Sequence, residues 1–156
     1  MHKKILSSLL LKTATLSTLL LMNLSAQDRP AVSATNVEAS KPAAYIFEVD
    51  FDAEVSPNTR LNITFPNAFN ISTVMMAVSE KLDGNLQAAV QANTVTLQRV
   101  GAESSVPAGE AIDLKVASVI NPANMDQDWD FIFAVLNGNT EIARDTLRTR
   151  VAPITR

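Results

Sequence analysis

The sequence predicts an all-β protein, an antiparallel immunoglobulin-like β-sandwich of about seven to nine strands. Apolar and polar residues alternate with a period of two from residue 43 onward, which buries one face of each strand. Turn-forming residues recur about every 8–12 residues, as is typical of sandwiches. No helical apolar period persists along the mature chain. A closed antiparallel sheet is the structural alternative.

The first 26 residues have the features of an export signal. Lys3-Lys4 provides a basic start, an apolar region follows, and Leu24-Ser25-Ala26 fits a signal peptidase site. The longest uncharged run covers residues 13–27, which is shorter than the about 20 apolar residues of a membrane-spanning helix. We therefore expect residues 1–26 to be removed. An uncleaved anchor is the alternative.

Residues 27–156 are then expected to form one exported domain without stable membrane insertion, located outside the cell or in the periplasm. These 130 residues carry 10 Lys and Arg, 16 Asp and Glu, no Cys and no His, because the only His is His2. Serine or cysteine triads that need His, and zinc sites of thiolate and imidazole, are excluded. The acidic balance argues against a nucleic-acid partner.

The first half of the mature chain predicts an edge strand over residues 31–39 and further strands near residues 43–53, 61–65, 74–78 and 94–98. The residues expected to face inward are Tyr45, Phe47, Val49, Phe51, Leu61, Ile63, Phe65, Val74, Met76, Val78, Val95 and Leu97. Ser56-Pro57-Asn58-Thr59 predicts a turn. Asp83-Gly84 predicts a type I′ hairpin turn, in which both central residues need positive φ.

The second half predicts three longer strands. Residues 112–120 alternate cleanly, and the residues expected to face inward are Ile112, Leu114, Val116, Ser118 and Ile120. Residues 129–136 are apolar on both faces beyond Asp130, which is typical of a central strand. Asn137-Gly138 predicts a second type I′ turn, and residues 140–151 would form the closing strand.

Three segments resemble a type of module found in secreted and cell-surface proteins, mainly bacterial and often in tandem. The first is Ala44-Tyr45-Ile46-Phe47-Glu48-Val49, and the second is Leu61-Asn62-Ile63-Thr64-Phe65-Pro66-Asn67-Ala68-Phe69-Asn70-Ile71. The third runs from Val106-Pro107-Ala108-Gly109 to Val116 and continues with Val119-Ile120-Asn121-Pro122 and Trp129-Asp130-Phe131. The resemblance implies an immunoglobulin-like spacer or adhesive unit and supplies no catalytic residues. The chain differs from such modules in having a single copy, and in having Trp129 where tyrosine is usual.

One candidate site is acidic and lies along a predicted strand face, comprising Glu48, Asp50, Asp52 and Glu54. Residues two apart on a strand are separated by about 6.6–6.8 Å, which is too far for one ion to contact several of them without a bend. The alternative is a solvated face that pairs with bases on neighbouring strands, such as Arg148 and Arg150.

The other candidate site is the loop Asp126-Gln127-Asp128-Trp129-Asp130. Its alternating carboxylates resemble the first ligand positions of calcium loops, so Asp126, Asp128 and Asp130 are candidate Ca²⁺ ligands, although the Gly and Glu of an EF-hand are missing. A polar loop before a buried strand is the alternative. Trp129 could stack on a sugar ring, or could plug the end of the core.

These patterns predict a non-catalytic module that acts by contacts with a protein, the extracellular matrix or the cell envelope. Paired carboxylates can hydrolyse glycosides, but a general acid needs burial that exposed loops and faces do not supply. No cofactor is expected, with Ca²⁺ as the exception to test. The alternatives are a calcium-dependent or carbohydrate-binding module that uses Asp126–Asp130, and a pilin-like fibre subunit that donates residues 31–39.

Overall fold

The computed structural model describes residues 31–154, and the predicted signal at residues 1–26 lies outside them. Within the described range the chain forms ten strands. They are β1 (Ala31–Ala34), β2 (Pro42–Val49), β3 (Thr59–Thr64), β4 (Ala77–Val78), β5 (Asn85–Gln91), β6 (Thr94–Val100), β7 (Ile112–Ile120), β8 (Trp129–Asn137), β9 (Thr140–Thr149) and β10 (Ala152–Pro153). In this part of the chain, no helix has the length and apolar character needed to cross a membrane.

Hydrogen bonds join the strands in the order β10-β1-β2-β7-β4-β5-β6-β3-β8-β9, and every pair is antiparallel except β1 with β10. β2 and β8 are far apart in this order, yet the ring of Phe47 lies 5.4 Å from the rings of Phe131 and Phe133. The sheet therefore folds back on itself, and its two halves face each other across one core. The chain is an immunoglobulin-like β-sandwich, as predicted.

An aromatic cluster fills the centre of the sandwich. Tyr45 and Phe47 from β2 meet Phe65, Phe69 and Phe131 at ring-centroid distances of 5.4–6.4 Å, mostly edge to face. Such pairs contribute about 0.5–1.5 kcal/mol each beyond the apolar area that they bury. The alternation along β2 and β3 that predicted this core is confirmed by the burial of its residues. In β8, predicted to be covered on both faces, Phe131, Phe133 and Val135 are buried, whereas Ile132 and Leu136 on the other face are only half-buried.

Two inward faces differ from the predicted ones. In the segment that leads into β4, Val74 is buried as predicted, but Ala77 is buried while Met76 and Val78 are exposed. Residues 74–76 are not in a strand, and Met75 and Met76 are both exposed, so the alternation shifts by one residue between Val74 and Ala77. In β7, Ser118 has a φ of 67°, in the left-handed region. This kink exposes Ser118 and buries Val119, where the strict alternation predicted the reverse.

The predicted type I′ turns are also wrong in detail. Gly84 has a positive φ and Asp83 does not, and six residues separate β4 from β5, so this segment is a loop. Between β8 and β9 the two turn residues are Gly138 and Asn139, of which only Gly138 has a positive φ. The predicted edge strand is shorter than expected, since β1 ends at Ala34.

Candidate functional site

An open groove with a volume of about 360 Å³ lies on the outer face of the half-sheet formed by β2, β7 and β4. The end of β2, the start of β7 and the loop of residues 79–84 form its walls. Its charged lining residues are Glu48, Asp50, Glu80, Lys81, Asp113 and Lys115. Ile46 and Ile112 supply apolar surface. In the register of β2 and β7, the pair of Glu48 and Asp113 lies between Ile46 on one side and Ile112 on the other.

The register of β2, β7 and β4 determines which apolar and charged side chains are neighbours on this outer face. Lys115 lies between Ile46 of β2 and Val78 of β4. Two residues further toward the end of β7, Ala117 donates its N–H to the carbonyl of Met76. Two residues toward the start of β7, Asp113 lies opposite Glu48 of β2. We call this surface the amphipathic face, and it comprises Ile46, Glu48, Met76, Val78, Glu80, Asp113, Lys115 and Ala117.

The apolar half of the amphipathic face is unusually exposed. Met76 is 59% exposed, Val78 is 46% exposed, and the adjoining Met75 is 88% exposed. Single exposed apolar residues are ordinary on a protein surface, whereas adjoining ones with a polar rim are typical of interaction sites. Methionine adds a flexible, polarisable side chain that adapts to different partner shapes.

Asp113 holds the loop that forms one wall of the groove. Its carboxylate accepts hydrogen bonds from the backbone N–H of Glu80 at 2.9 Å and of Lys81 at 3.0 Å, and from the hydroxyl of Ser79 at 3.0 Å. The Ser79 hydroxyl oxygen in turn accepts the N–H of Leu82. This network fixes the positions of Glu80 and Lys81 beside Glu48 without using their side chains.

A buried arginine anchors the far end of the same loop. The guanidinium of Arg99 donates to the carbonyls of Val55 and Ser104 and pairs with the carboxylate of Asp83. The N–H of Glu103, assisted by the N–H of Ser104 and by Arg99, lowers the pKa of Asp83 to about 2. The inward position of Arg99 was not predicted. The parity of Val95 and Leu97 extends to Arg99, so the alternation does contain a signal for an inward-facing arginine.

The predicted acidic ladder does not form on one strand. β2 ends at Val49, so only Glu48 lies in it, and Asp50, Asp52 and Glu54 follow in the exposed connection to β3. Arg148 and Arg150, suggested as their partners, pair elsewhere. Beyond Val49 the chain stays beside the segment that precedes β7, since Gly109 donates its N–H to the carbonyl of Phe51 at 2.8 Å.

The predicted calcium loop is held by arginines. Arg150 contacts Asp126 at 2.9 Å and Asp128 at 3.9 Å, and Arg148 contacts Asp130 at 3.9 Å. Among residues 31–154, no group of three or more acidic or histidine side chains is placed to hold a metal ion. Calcium binding by this loop stays a prediction.

Trp129 packs against the core. Its ring meets that of Phe69 edge to face at 5.1 Å, and its Nε1 is buried with no hydrogen-bond partner among the described residues. Trp129 is half-buried at the edge of the core, a position that favours the end-of-core interpretation, while sugar stacking stays a prediction.

No protein-family model matches the chain, and no curated protein matches it significantly. Solved structures with a similar arrangement of strands include the following three. A GH20 exo-β-N-acetylglucosaminidase from Vibrio harveyi is 12% identical over 81% of this chain, which spans 18% of that protein, with a TM-score of 0.41. An uncharacterised immunoglobulin-like protein from Nocardia farcinica is 16% identical, over 80% of this chain and 98% of that one, with a TM-score of 0.43. The collagen-binding domain of a Staphylococcus aureus adhesin is 8% identical, over 79% and 96%, with a TM-score of 0.38.

Proposed function

We propose that the protein is an exported, non-catalytic recognition module that acts by protein or matrix contacts at the cell surface or in the periplasm. The observation that carries the proposal is the amphipathic face, where Met76 and Val78 stay exposed beside an open groove. A sheet face that needed only to be solvated would carry polar residues there. Exposed apolar surface next to a groove is what a partner buries on binding.

The two nominal carboxylate pairs for glycoside hydrolysis, Glu48 with Asp50 and Asp126 with Asp128, do not favour catalysis. Glu48 and Asp50 are exposed, as are Asp126 and Asp128, so neither pair offers the buried general acid that the reaction requires. The module therefore acts by surface complementarity.

The fibre-subunit alternative has less support from strand pairing. β1 pairs with β2 of its own chain, and Val32 and Ala34 are buried in its own core. At the opposite edge, Asp145 of β9 lies opposite the buried Phe133, and its carboxylate accepts the N–H of Thr146 at 2.7 Å. A charge that faces inward on an edge strand opposes the addition of another strand.

Site-specific photocrosslinking in the native cells tests the proposal. The photoreactive residue p-benzoyl-phenylalanine replaces Val78 in the full chain, and a matched chain carries it at the exposed Gln91, at the end of β5 remote from its pairing with β4. We expect a defined crosslinked product from position 78 only, which a Met76→Asp change removes. Equal products from both positions, or no product from position 78, would contradict the proposal.

A further inference from the structure

The acidic half of the amphipathic face forms no ion pairs within residues 31–154, as is also true of Glu38, Asp52, Glu54, Glu103, Glu110 and Asp145. Elsewhere between residues 31 and 154, arginines pair with Asp83, Asp126, Asp128, Asp130 and Glu141. No ion pair within that range includes Glu48, Asp50, Glu80 or Asp113. The two lysines of the groove are thus not committed to its carboxylates.

The register of β2 and β7 gives a second indication that the charge of Glu48 is not compensated. Glu48 lies directly opposite Asp113 across β2 and β7. Like charges in that position destabilise an antiparallel pair. Asp113 is compensated by the N–H groups of Glu80 and Lys81, whereas Glu48 has no such contact among the described hydrogen bonds. No ion pair within residues 31–154 therefore offsets the charge of Glu48.

The negative surface continues beyond the groove. A second depression of about 380 Å³ shares Asp50 with the first and is also lined by Asp52, Arg144 and Asp145. Six acids and three bases line the two depressions together. Clefts lined mainly by one sign of charge concentrate ligands of the opposite sign and raise their association rates.

We infer that the amphipathic face binds a protein segment that is basic at one end and apolar at the other. The inference rests on the proposed recognition function and names the chemistry of its partner. Lysine or arginine side chains of the segment lie over Glu48 and Glu80, and its apolar side chains cover Met76 and Val78. The charges determine orientation and association rate, and the apolar contacts supply most of the affinity.

Two synthetic peptides test the chemistry directly. One has a lysine-rich half followed by a half of leucine and serine, and the other replaces every lysine with glutamate. Fluorescence anisotropy with the purified full chain should show binding of the lysine peptide at least about tenfold tighter than of the glutamate peptide. Raising the salt from about 0.05 to about 0.5 M should weaken the binding, since exposed charges are screened.

Variants locate the binding to this face. Glu48→Lys and Met76→Asp should each weaken binding of the lysine peptide by about tenfold or more. The control Gln91→Lys, at the end of β5 remote from β4, should leave it unchanged. Because Glu48→Lys removes a like-charge apposition, its melting temperature should not fall, so lost binding would not reflect unfolding. Equal affinity for both peptides, or undiminished binding by Glu48→Lys, would overturn the inference.

The outcomes separate this inference from the proposed function. A specific crosslink from position 78 together with no binding of the lysine peptide would leave the recognition function standing and refute the basic partner. Sedimentation velocity of the protein alone measures its oligomeric state and so tests whether a second copy of the chain occupies the face. A dimer that Met76→Asp dissociates would assign the face to a second copy of the chain, and would also overturn the inference.

Discussion

Replacing Tyr45 with phenylalanine should destabilise the protein through a single hydrogen bond. Tyr45 is fully buried, and its hydroxyl donates to Oδ1 of Asn121 at 2.6 Å. The Asn121 amide in turn donates to the carbonyls of Asn36 at 3.0 Å and Glu38 at 2.8 Å. The phenol therefore completes a buried network that ties the segment after β1 to the end of β7.

The expected magnitude follows from what remains after the substitution. Phenylalanine keeps the ring contacts with Phe65 and Phe69, so no large cavity forms. The buried Oδ1 of Asn121 is left without its donor, which costs about 1–3 kcal/mol. For a domain of this size that corresponds to a fall in melting temperature of about 4–12 °C.

The buried phenol of Tyr45 also makes the stability of the fold depend on pH in the alkaline range. Burial raises the pKa of the Tyr45 phenol above its ordinary value of about 10. Because the folded state holds this proton more tightly, its contribution is complete below pH of about 10 and is lost as pH rises toward the folded-state pKa. The unfolded chain should ionise first.

The assay is direct, because Tyr45 is the only tyrosine in the chain. Phenolate absorbance of the folded protein should stay low past the pH at which the urea-unfolded protein titrates. Denaturant unfolding at neutral pH measures the loss in Tyr45→Phe, and an Asn121→Ala double-mutant cycle isolates the pair. A folded-state titration at the ordinary phenol pKa, or a coupling energy near zero, would refute the reasoning.

Three further predictions concern a carboxylate, a turn and the acidic loop. The pKa of Asp83 is lowered to about 2, so its carboxylate stabilises the fold above its ordinary pKa and loses this contribution as pH falls toward 2. In Asp83→Asn, the free energy of unfolding should therefore fall less steeply with decreasing pH over that range. Ala92 has a φ of 52° in the turn between β5 and β6, and Ala92→Gly should raise stability by about 0.5–1 kcal/mol in thermal melts, whereas Ala89→Gly within β5 should lower it. The melting temperature should be the same in CaCl₂ and EDTA, because arginines already hold the acidic loop; a calcium-dependent rise that Asp128→Ala abolishes would restore the calcium site.

The strands could be read from the sequence because each buries one face. Leu61 and Ile63 in β3, and Phe131 and Phe133 in β8, carry that pattern locally, so no knowledge of their partners is needed. Positions where the backbone leaves the extended region broke the pattern. Ser118 is the clearest case, since serine gives no sign that it will adopt a positive φ.

The candidate site could be predicted only in part, because charge pairing is a long-range property. Asp126 and Arg150 are 24 residues apart, and only the pairing of β8 with β9 brings them together. The groove also depends on the pairing of β4 with β7. β4 has only two residues, which is too short for an alternation that would predict this pairing. Glu48 was identified, but its like-charged neighbour Asp113 was not.

The parallel pairing of β1 and β10 determines how the domain would respond to tension. Ser33 and Ala34 pair with Ala152 and Pro153, and Ile154 donates its N–H to the carbonyl of Ala34. A pull on the chain before β1 and after β10 drives these two strands in opposite directions along their length. The hydrogen bonds between them are then loaded together in shear instead of opening one after another. For a module held between a cell and a partner, this small patch would be the first mechanical barrier to unfolding.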